Sequence, residues 1–224
     1  MAQNRSEHLD GVRHIVWDWN GTLLDDNHAN LTALNRACEP HGRGPVDLDY
    51  WRTVFRRPLL DCYEEHLGRP IAPELWARIN EDYDRHYKQA LPRCPLADGV
   101  PDVLHEWAGG GGTQSLLSMA SHGHVVPLVA ERGLDGHFTR VDGRKYDSRS
   151  DSKAEHLVEH LTGQGIDPAT VVLIGDIDDD ARAAREAGAR AVLVASGMMS
   201  RERLEATGHP VVGTPSEAVR FLAG

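Results

Sequence analysis

Positive charge is in short supply in this chain: 24 Lys and Arg stand against 34 Asp and Glu, a formal charge of −10 over 224 residues. So acidic a molecule lacks the broad positive field that holds a phosphate backbone, which disfavours general nucleic-acid binding. Cysteine is scarce too. Cys38, Cys62 and Cys94 are widely spaced, odd in number and in no metal-ligand pattern. They read as reduced thiols of a cytoplasmic protein rather than as a disulfide framework. No apolar run is long enough to span a bilayer, and residues 1–10 are polar, without the apolar stretch of a signal peptide. Membrane and disulfide-scaffold classes are therefore not expected. What the chain does have is 40% hydrophobic residues, enough for a sizeable core. Its length is too great for one minimal domain and short for two full ones.

Short apolar runs that stop at turn residues suggest buried strands of a parallel sheet. They occur at residues 12–17, 114–118, 171–174, 191–194 and 210–212. Helical patterns lie between them at 125–132, 153–161, 180–187 and 201–206. A last helix begins at Thr214, Pro215 and Glu217, which together have the chemistry of a capping box with proline at the first helical position. This alternation predicts a parallel α/β fold. Residues 28–93 differ. They contain no convincing strand, but Leu31/Leu34/Cys38, Leu48/Trp51/Phe55, Leu60/Tyr63/Leu67 and Leu75/Ile79/Tyr83/Tyr87 each fall on one helical face. The pattern predicts four helices inserted between the first and second strands, with a small core of their own.

Four features carry chemistry. Asp18-Trp19-Asn20-Gly21-Thr22 follows the first strand, at the carboxyl end where open parallel sheets bind ligands. A carboxylate there is placed to act as a nucleophile, with backbone amides of the turn open to an anion. Ser118 ends the second strand, with Met119 behind it. Lys153 opens a helix just after Asp151 and Ser152, either of which could cap it. A cation at a helix N-terminus opposes the macrodipole unless an anionic partner is near. Finally, Asp176, Asp178, Asp179 and Asp180 crowd directly behind the strand signal at 171–174. Such a cluster repels itself unless solvated or neutralised by a cation, and oxygen-only ligands suit Mg²⁺.

Asp18/Thr22, Ser118, Lys153 and Asp176/Asp180, in that order and at successive strand ends, resemble the haloacid dehalogenase superfamily, specifically its phosphoglycolate-phosphatase-like branch with a helical C1-type cap. The resemblance covers nearly the whole chain. It implies a Rossmann-like core at 1–26 and 95–224 and a helical cap at 27–94, with Asp98-Gly99-Val100 at the re-entry to the core. It also implies a phosphatase acting on a small phosphorylated metabolite through an aspartyl-phosphate on Asp18. Mg²⁺ would bind Asp18, the Asn20 carbonyl and Asp176, with Asp180 in direct or water-mediated support. Thr22, Ser118, Met119 and Lys153 would line the phosphate site, and Lys153 would keep Asp18 ionised. Asp178 and Asp179 match no family position and are expected to be solvated turn residues. A cytoplasmic monomer or homodimer is expected.

The chain departs from the family at Asn20, where phosphatases of this kind normally carry a second Asp that protonates the leaving group and then activates water. A carboxamide does neither at neutral pH, and general acid–base catalysis is worth roughly 10²–10⁴-fold. Three explanations compete: a leaving group that needs no acid, another proton donor such as His122 or His124, or an impaired phosphatase that binds a phosphorylated ligand. The dehalogenase branch, an alternative hydrolase, uses no metal and fits the acidic cluster less well. Phosphonate cleavage needs a cap lysine, and only Lys88 lies in that region. Arg56 and Arg57, joining two cap helices, suit a substrate carboxylate or second phosphate.

Overall fold

The computed structural model describes residues 11–145 and 152–224. The polar stretch at 1–10 and the candidate cap Asp151 lie outside the described residues. Six parallel strands form one sheet: β1 (His14–Trp17), β2 (Thr113–Ser121), β3 (Val141–Arg144), β4 (Val171–Gly175), β5 (Arg190–Val194) and β6 (Val211–Val212). Their order is β3-β2-β1-β4-β5-β6. The chain runs outward from β1 through β2 to β3, then crosses to β4 on the other side of β1. That reversal makes the carboxyl ends of β1 and β4 the crevice where this architecture binds ligands.

Every residue of β1 and of β4 is buried, as expected for strands covered by helices on both faces. Alternation sends Ile15 and Trp17 to one face and Val16 to the other. The first face packs against α5 (Val100–Gly109), α6 (His122–Glu131) and α10 (Pro215–Ala223), using Leu104, Val129 and Val219. The second packs against α7 (Lys153–Thr162), α8 (Asp178–Ala187) and α9 (Arg201–Glu205), using Leu157, Leu161, Ala184 and Leu204. Among the described residues no helix is long and apolar enough to cross a membrane.

Between β1 and β2 lie α1 (Asn27–Cys38), α2 (Leu48–Val54), α3 (Leu59–Leu67) and α4 (Pro73–Ala90). They share a third core of Leu34, Cys38, Trp51, Cys62, Tyr63 and Ile79, built from the apolar faces read in the sequence. An antiparallel bridge from Leu24 to Leu96 ties the two ends of this insertion together.

Strand β3 was not expected. Its sequence, Val-Asp-Gly-Arg, has no apolar run, and Gly143 sits where a Cβ would come within 2.6 Å of Val125 and 2.7 Å of the Ala120 carbonyl. Close packing against α6, rather than side-chain hydrophobicity, holds it. The expected capping box at α10 is also modified. The Thr214 hydroxyl accepts from the Glu217 amide at 3.2 Å, but the Glu217 carboxylate reaches one residue further back, to the Gly213 amide at 2.6 Å.

Candidate active site

The site begins with strand register. β1 and β4 pair in parallel with Trp17 opposite Ile174, so both strands end together and their next residues emerge side by side. The Asp18 amide donates to the Ile174 carbonyl at 2.8 Å, holding Asp18 beside the strand that delivers Asp176. Backbone then closes over Asp176. Gly21 turns at φ +72°, and a Cβ on it would lie 2.5 Å from an Asp176 carboxylate oxygen; one on Gly197 would lie 1.9 Å away. Only glycine permits either approach. Asp176 Oδ2 accepts from the Met198 amide at 2.9 Å.

Asp180 arrives from the first turn of α8. Its Oδ2 accepts from the Ile177 amide at 3.1 Å, so it caps its own helix. Its Oδ1 accepts from Lys153, whose ammonium also donates to Asp18 Oδ1. Lys153 opens α7 and is 2% exposed, so the carboxylates are the anionic partners a lysine at that position requires.

Asp18, Asp176 and Asp180 each present a carboxylate oxygen, all within 4.8 Å of one another. Burial pushes the Asp18 carboxyl up to about 6, Lys153 pulls against that rise, and Asp180 adds to it. Asp176 is held well above the usual carboxylate range, first by burial and then by the charges of Asp18 and Asp180. Burial works against the Lys153 ammonium, but the two carboxylates outweigh it and hold its pKa above the ordinary lysine value. Three buried acids share one cation. The shortfall of positive charge and the all-oxygen donor set fit a hard divalent ion such as Mg²⁺.

One cavity of about 330 Å³ opens over this cluster. Asp18, Asn20, Ser118, Met119, Lys153 and Asp176 line it, as does Arg57. Thr22 is fully buried, its hydroxyl 3.5 Å from Asp176 Oδ1, and it is placed behind Asp176 rather than on the cavity. Ser118 Oγ is 3.5 Å from Asn20 Oδ1 and accepts from the Ala120 amide at 3.1 Å.

Like Thr22, two further residues expected at the substrate, Arg56 and His122, do not line the cavity. Arg56 is drawn aside by Glu65 at 2.6 Å and by the Val54 and Asp61 carbonyls. His122 accepts from the Gly143 amide at 3.1 Å and lies 3.9 Å from Asp142, packed towards the sheet edge. His124 is likewise not among the lining residues. Asp179, expected to be solvated, is 5% exposed, lines the cavity and pairs with Arg182; the helix turn points it inward.

Sequence reasoning missed a second polar cluster, around Asp26. Its Oδ2 accepts from Asn20 at 2.8 Å, Asn30 at 2.7 Å and the Tyr87 hydroxyl at 2.6 Å, and its Oδ1 from the Gly21 amide at 2.8 Å. Tyr83 donates to Asn30, so the chain of bonds continues along the cavity wall. Tyr83 and Tyr87 share the apolar face of α4, which reads simply as core; no pattern flags their hydroxyls.

A family model described as haloacid dehalogenase-like hydrolase matches residues 15–194. The chain is 27% identical over 220 residues to a phosphoglycolate phosphatase of Synechococcus elongatus, covering 94% of this chain and 97% of that protein. It is 24% identical to a 5′-nucleotidase of Pseudomonas aeruginosa, covering 86% and 87%. A haloacid dehalogenase-like family hydrolase from Streptococcus pneumoniae superposes with a TM-score of 0.80 at 17% identity, over 94% of this chain and 98% of that one.

Proposed function

Because the chain belongs to the haloacid dehalogenase-like hydrolase family, we propose that it is a Mg²⁺-dependent phosphatase of a small phosphorylated metabolite, with Asp18 as nucleophile. The observation that carries this reading is the buried group of Asp18, Asp176 and Lys153 at the floor of one cavity, with Asp180 bonded to Lys153 behind them. The relatives named phosphoglycolate phosphatase and 5′-nucleotidase, matched over most of their lengths, support it.

The Asp18 carboxylate attacks phosphorus and the ester P–O bond breaks, leaving an aspartyl-phosphate and an alkoxide that takes its proton from solvent water to become the free alcohol. Water then breaks the new P–O bond, returning Asp18 and releasing inorganic phosphate. Lys153 orients the Asp18 carboxylate through its bond to Oδ1 and holds positive charge beside the phosphoryl oxygens. Asp180 fixes Lys153 in turn. Ser118, on the cavity, meets a phosphoryl oxygen. Asp18, Asp176 and the Asn20 carbonyl, with Asp180 in support, would hold Mg²⁺, whose charge offsets repulsion between carboxylate and phosphate. The helices of 27–94 act as a cap over a core of 1–26 and 95–224. Arg52 donates to the Gly197 carbonyl at 2.9 Å and the Ser196 carbonyl at 3.1 Å, contacts that seat the cap on the loop beside Asp176.

A second reading, a ligand-binding protein of slow turnover, draws on Asn20, which has no proton to exchange. The deciding experiment is phosphate release from monoesters with and without Mg²⁺, in wild type and Asp18→Asn. Release that needs Mg²⁺ and vanishes in the variant supports the phosphatase. Undiminished turnover by Asp18→Asn overturns the nucleophile.

A further inference from the structure

The wall of the cavity opposite Asp18 differs in character from its floor. Trp51, Phe55, Leu59 and Tyr63 from α2, α3 and their junction face it, with Leu34 of α1. The rings of Trp51 and Phe55 meet edge to face at 6.2 Å, and those of Trp51 and Tyr63 at 5.7 Å. Tyr83 and Tyr87, stacked at 5.8 Å and 6°, form the adjoining side. Formal charge on these helices reaches the cavity only through Arg57 and Asp84, one of each sign. The paired-arginine clamp that would take a carboxylate is absent, because Arg56 is held by Glu65. A volume of about 330 Å³ lies in the range of pockets that enclose ring-sized organic ligands.

On the premise that the chain is a phosphatase, we infer that its substrate is the phosphate monoester of an uncharged alcohol bearing a flat ring, with the ring against Phe55, Trp51 and Leu59 and the phosphoryl group at Asp18. A two-carbon acid such as glycolate leaves this apolar wall wet and offers its carboxylate one arginine, balanced by Asp84. A buried six-membered ring removes about 100 Å² of apolar surface from water, worth roughly 50-fold in affinity. Phe55 and Leu59 are thus specificity-determining residues.

The test compares benzyl phosphate, ethyl phosphate and 2-phosphoglycolate, whose alcohols are poor leaving groups alike, by kcat/KM in Mg²⁺. Binding of benzylphosphonate and phosphonoacetate is measured in parallel by calorimetry. Benzyl phosphate is expected to exceed the other two at least tenfold, and benzylphosphonate to bind at least tenfold more tightly than phosphonoacetate. Phe55→Ala should lower the benzyl-to-ethyl ratio about fivefold. Leu59→Ala provides the same readout should the first variant fold poorly. Equal rates for all three esters, or a preference for phosphoglycolate, overturn the ring pocket and leave the phosphatase standing. If no ester is hydrolysed the phosphatase reading fails, and calorimetry then decides the pocket: tighter benzylphosphonate supports it, equal binding overturns it.

Discussion

Lys153 donates at once to Asp18 and to Asp180, and all three side chains are buried. With Asp176 beside them, one ammonium balances three acids, so its loss leaves buried carboxylates without a cation. Removing one partner of a buried ion pair costs about 3–5 kcal/mol. Lys153→Met is therefore expected to lower the melting temperature of metal-free protein by about 10 °C, and turnover by about 10³-fold or more. Mg²⁺ should raise the variant's melting temperature more than the wild type's, since the added charge replaces the one removed. Differential scanning fluorimetry with Mg²⁺ and with a chelator measures both. Equal Mg²⁺ shifts would show that the ion does not sit among these acids.

Asn20 has a structural reason for carrying an amide. Its Nδ2 donates to Asp26 Oδ2 at 2.8 Å, and Asp26 is fully buried. In Asn20→Asp an oxygen faces that carboxylate, and two acids at such range cannot both ionise readily. The new acid's folded pKa rises above its unfolded value near 4. Its penalty is thus small at pH values near 4 and grows as the pH climbs through the folded pKa. We expect Asn20→Asp to match wild type closely in denaturant at pH 4.5 and to fall short by about 3 kcal/mol at pH 8. Turnover on the native substrate should fall at least tenfold. A gain in turnover would show instead that Asn20 impairs the wild-type site.

The floor of this site was legible because it lies at strand ends. The apolar runs before Asp18 and Asp176 mark β1 and β4, and parallel pairing brings whatever follows them together. Lys153 was legible as a cation in the wrong place for its helix dipole. The cap side was not. Arg56 and Arg57 are adjacent in sequence, yet Glu65, nine residues on, takes Arg56 away while Arg57 reaches the cavity. Likewise Asp25 and Asp26 look alike in the chain. Only the fold of the turn after β1 aims Asp26 at Asn20 and Tyr87, a residue 61 positions distant. Such choices depend on tertiary partners that no local period encodes. Strand β3 escaped for the same reason, since Gly143 is selected by the closeness of Val125 rather than by strand propensity.

A buried row of polar groups crosses beneath the sheet, away from the cavity. His14 bonds Thr113 and Ser115 at 2.8 Å each; Ser115 also meets His160 at 2.7 Å, and His160 meets Asp142 at 2.8 Å. Burial, and then His160, lower the His14 pKa to about 4. Because the folded state disfavours the proton, this contribution to stability is complete above about pH 6.5 and is lost as pH falls towards 4. The loss amounts to about 3 kcal/mol. Asp142 is held at about 2; burial opposes that, but bonds from His160 and Arg140 prevail. It stays ionised through the same window, and its own contribution is lost only as pH falls from about 4 towards 2. Urea unfolding of wild type and His14→Gln between pH 7.5 and 4.5 measures the difference, and the variant is expected to show a shallower slope. Identical slopes would exclude His14 as the group responsible.

His66 poses the opposite case, a buried polar ring with nothing to bond. It is fully buried among the insertion's helices, its ring 5.8 Å from those of Tyr50 and Trp51. Neither Nδ1 nor Nε2 has a hydrogen-bond partner among the described residues. An unpaired buried donor and acceptor cost about 1–3 kcal/mol, and an apolar side chain of similar size avoids that cost. His66→Leu is therefore expected to stabilise the protein by about 1 kcal/mol, seen as a rise of about 2–4 °C in melting temperature. The gain should widen in acid. Burial, and then the nearby Arg43 charge, lower the His66 pKa, so the wild type loses stability as pH falls below about 6.5 while leucine has nothing to titrate. Melting curves of both proteins at pH 8 and 5.5 check the sign. A variant less stable than wild type at both values would show that the imidazole is bonded in solution, through a water that bridges it to the backbone of α2 or α3.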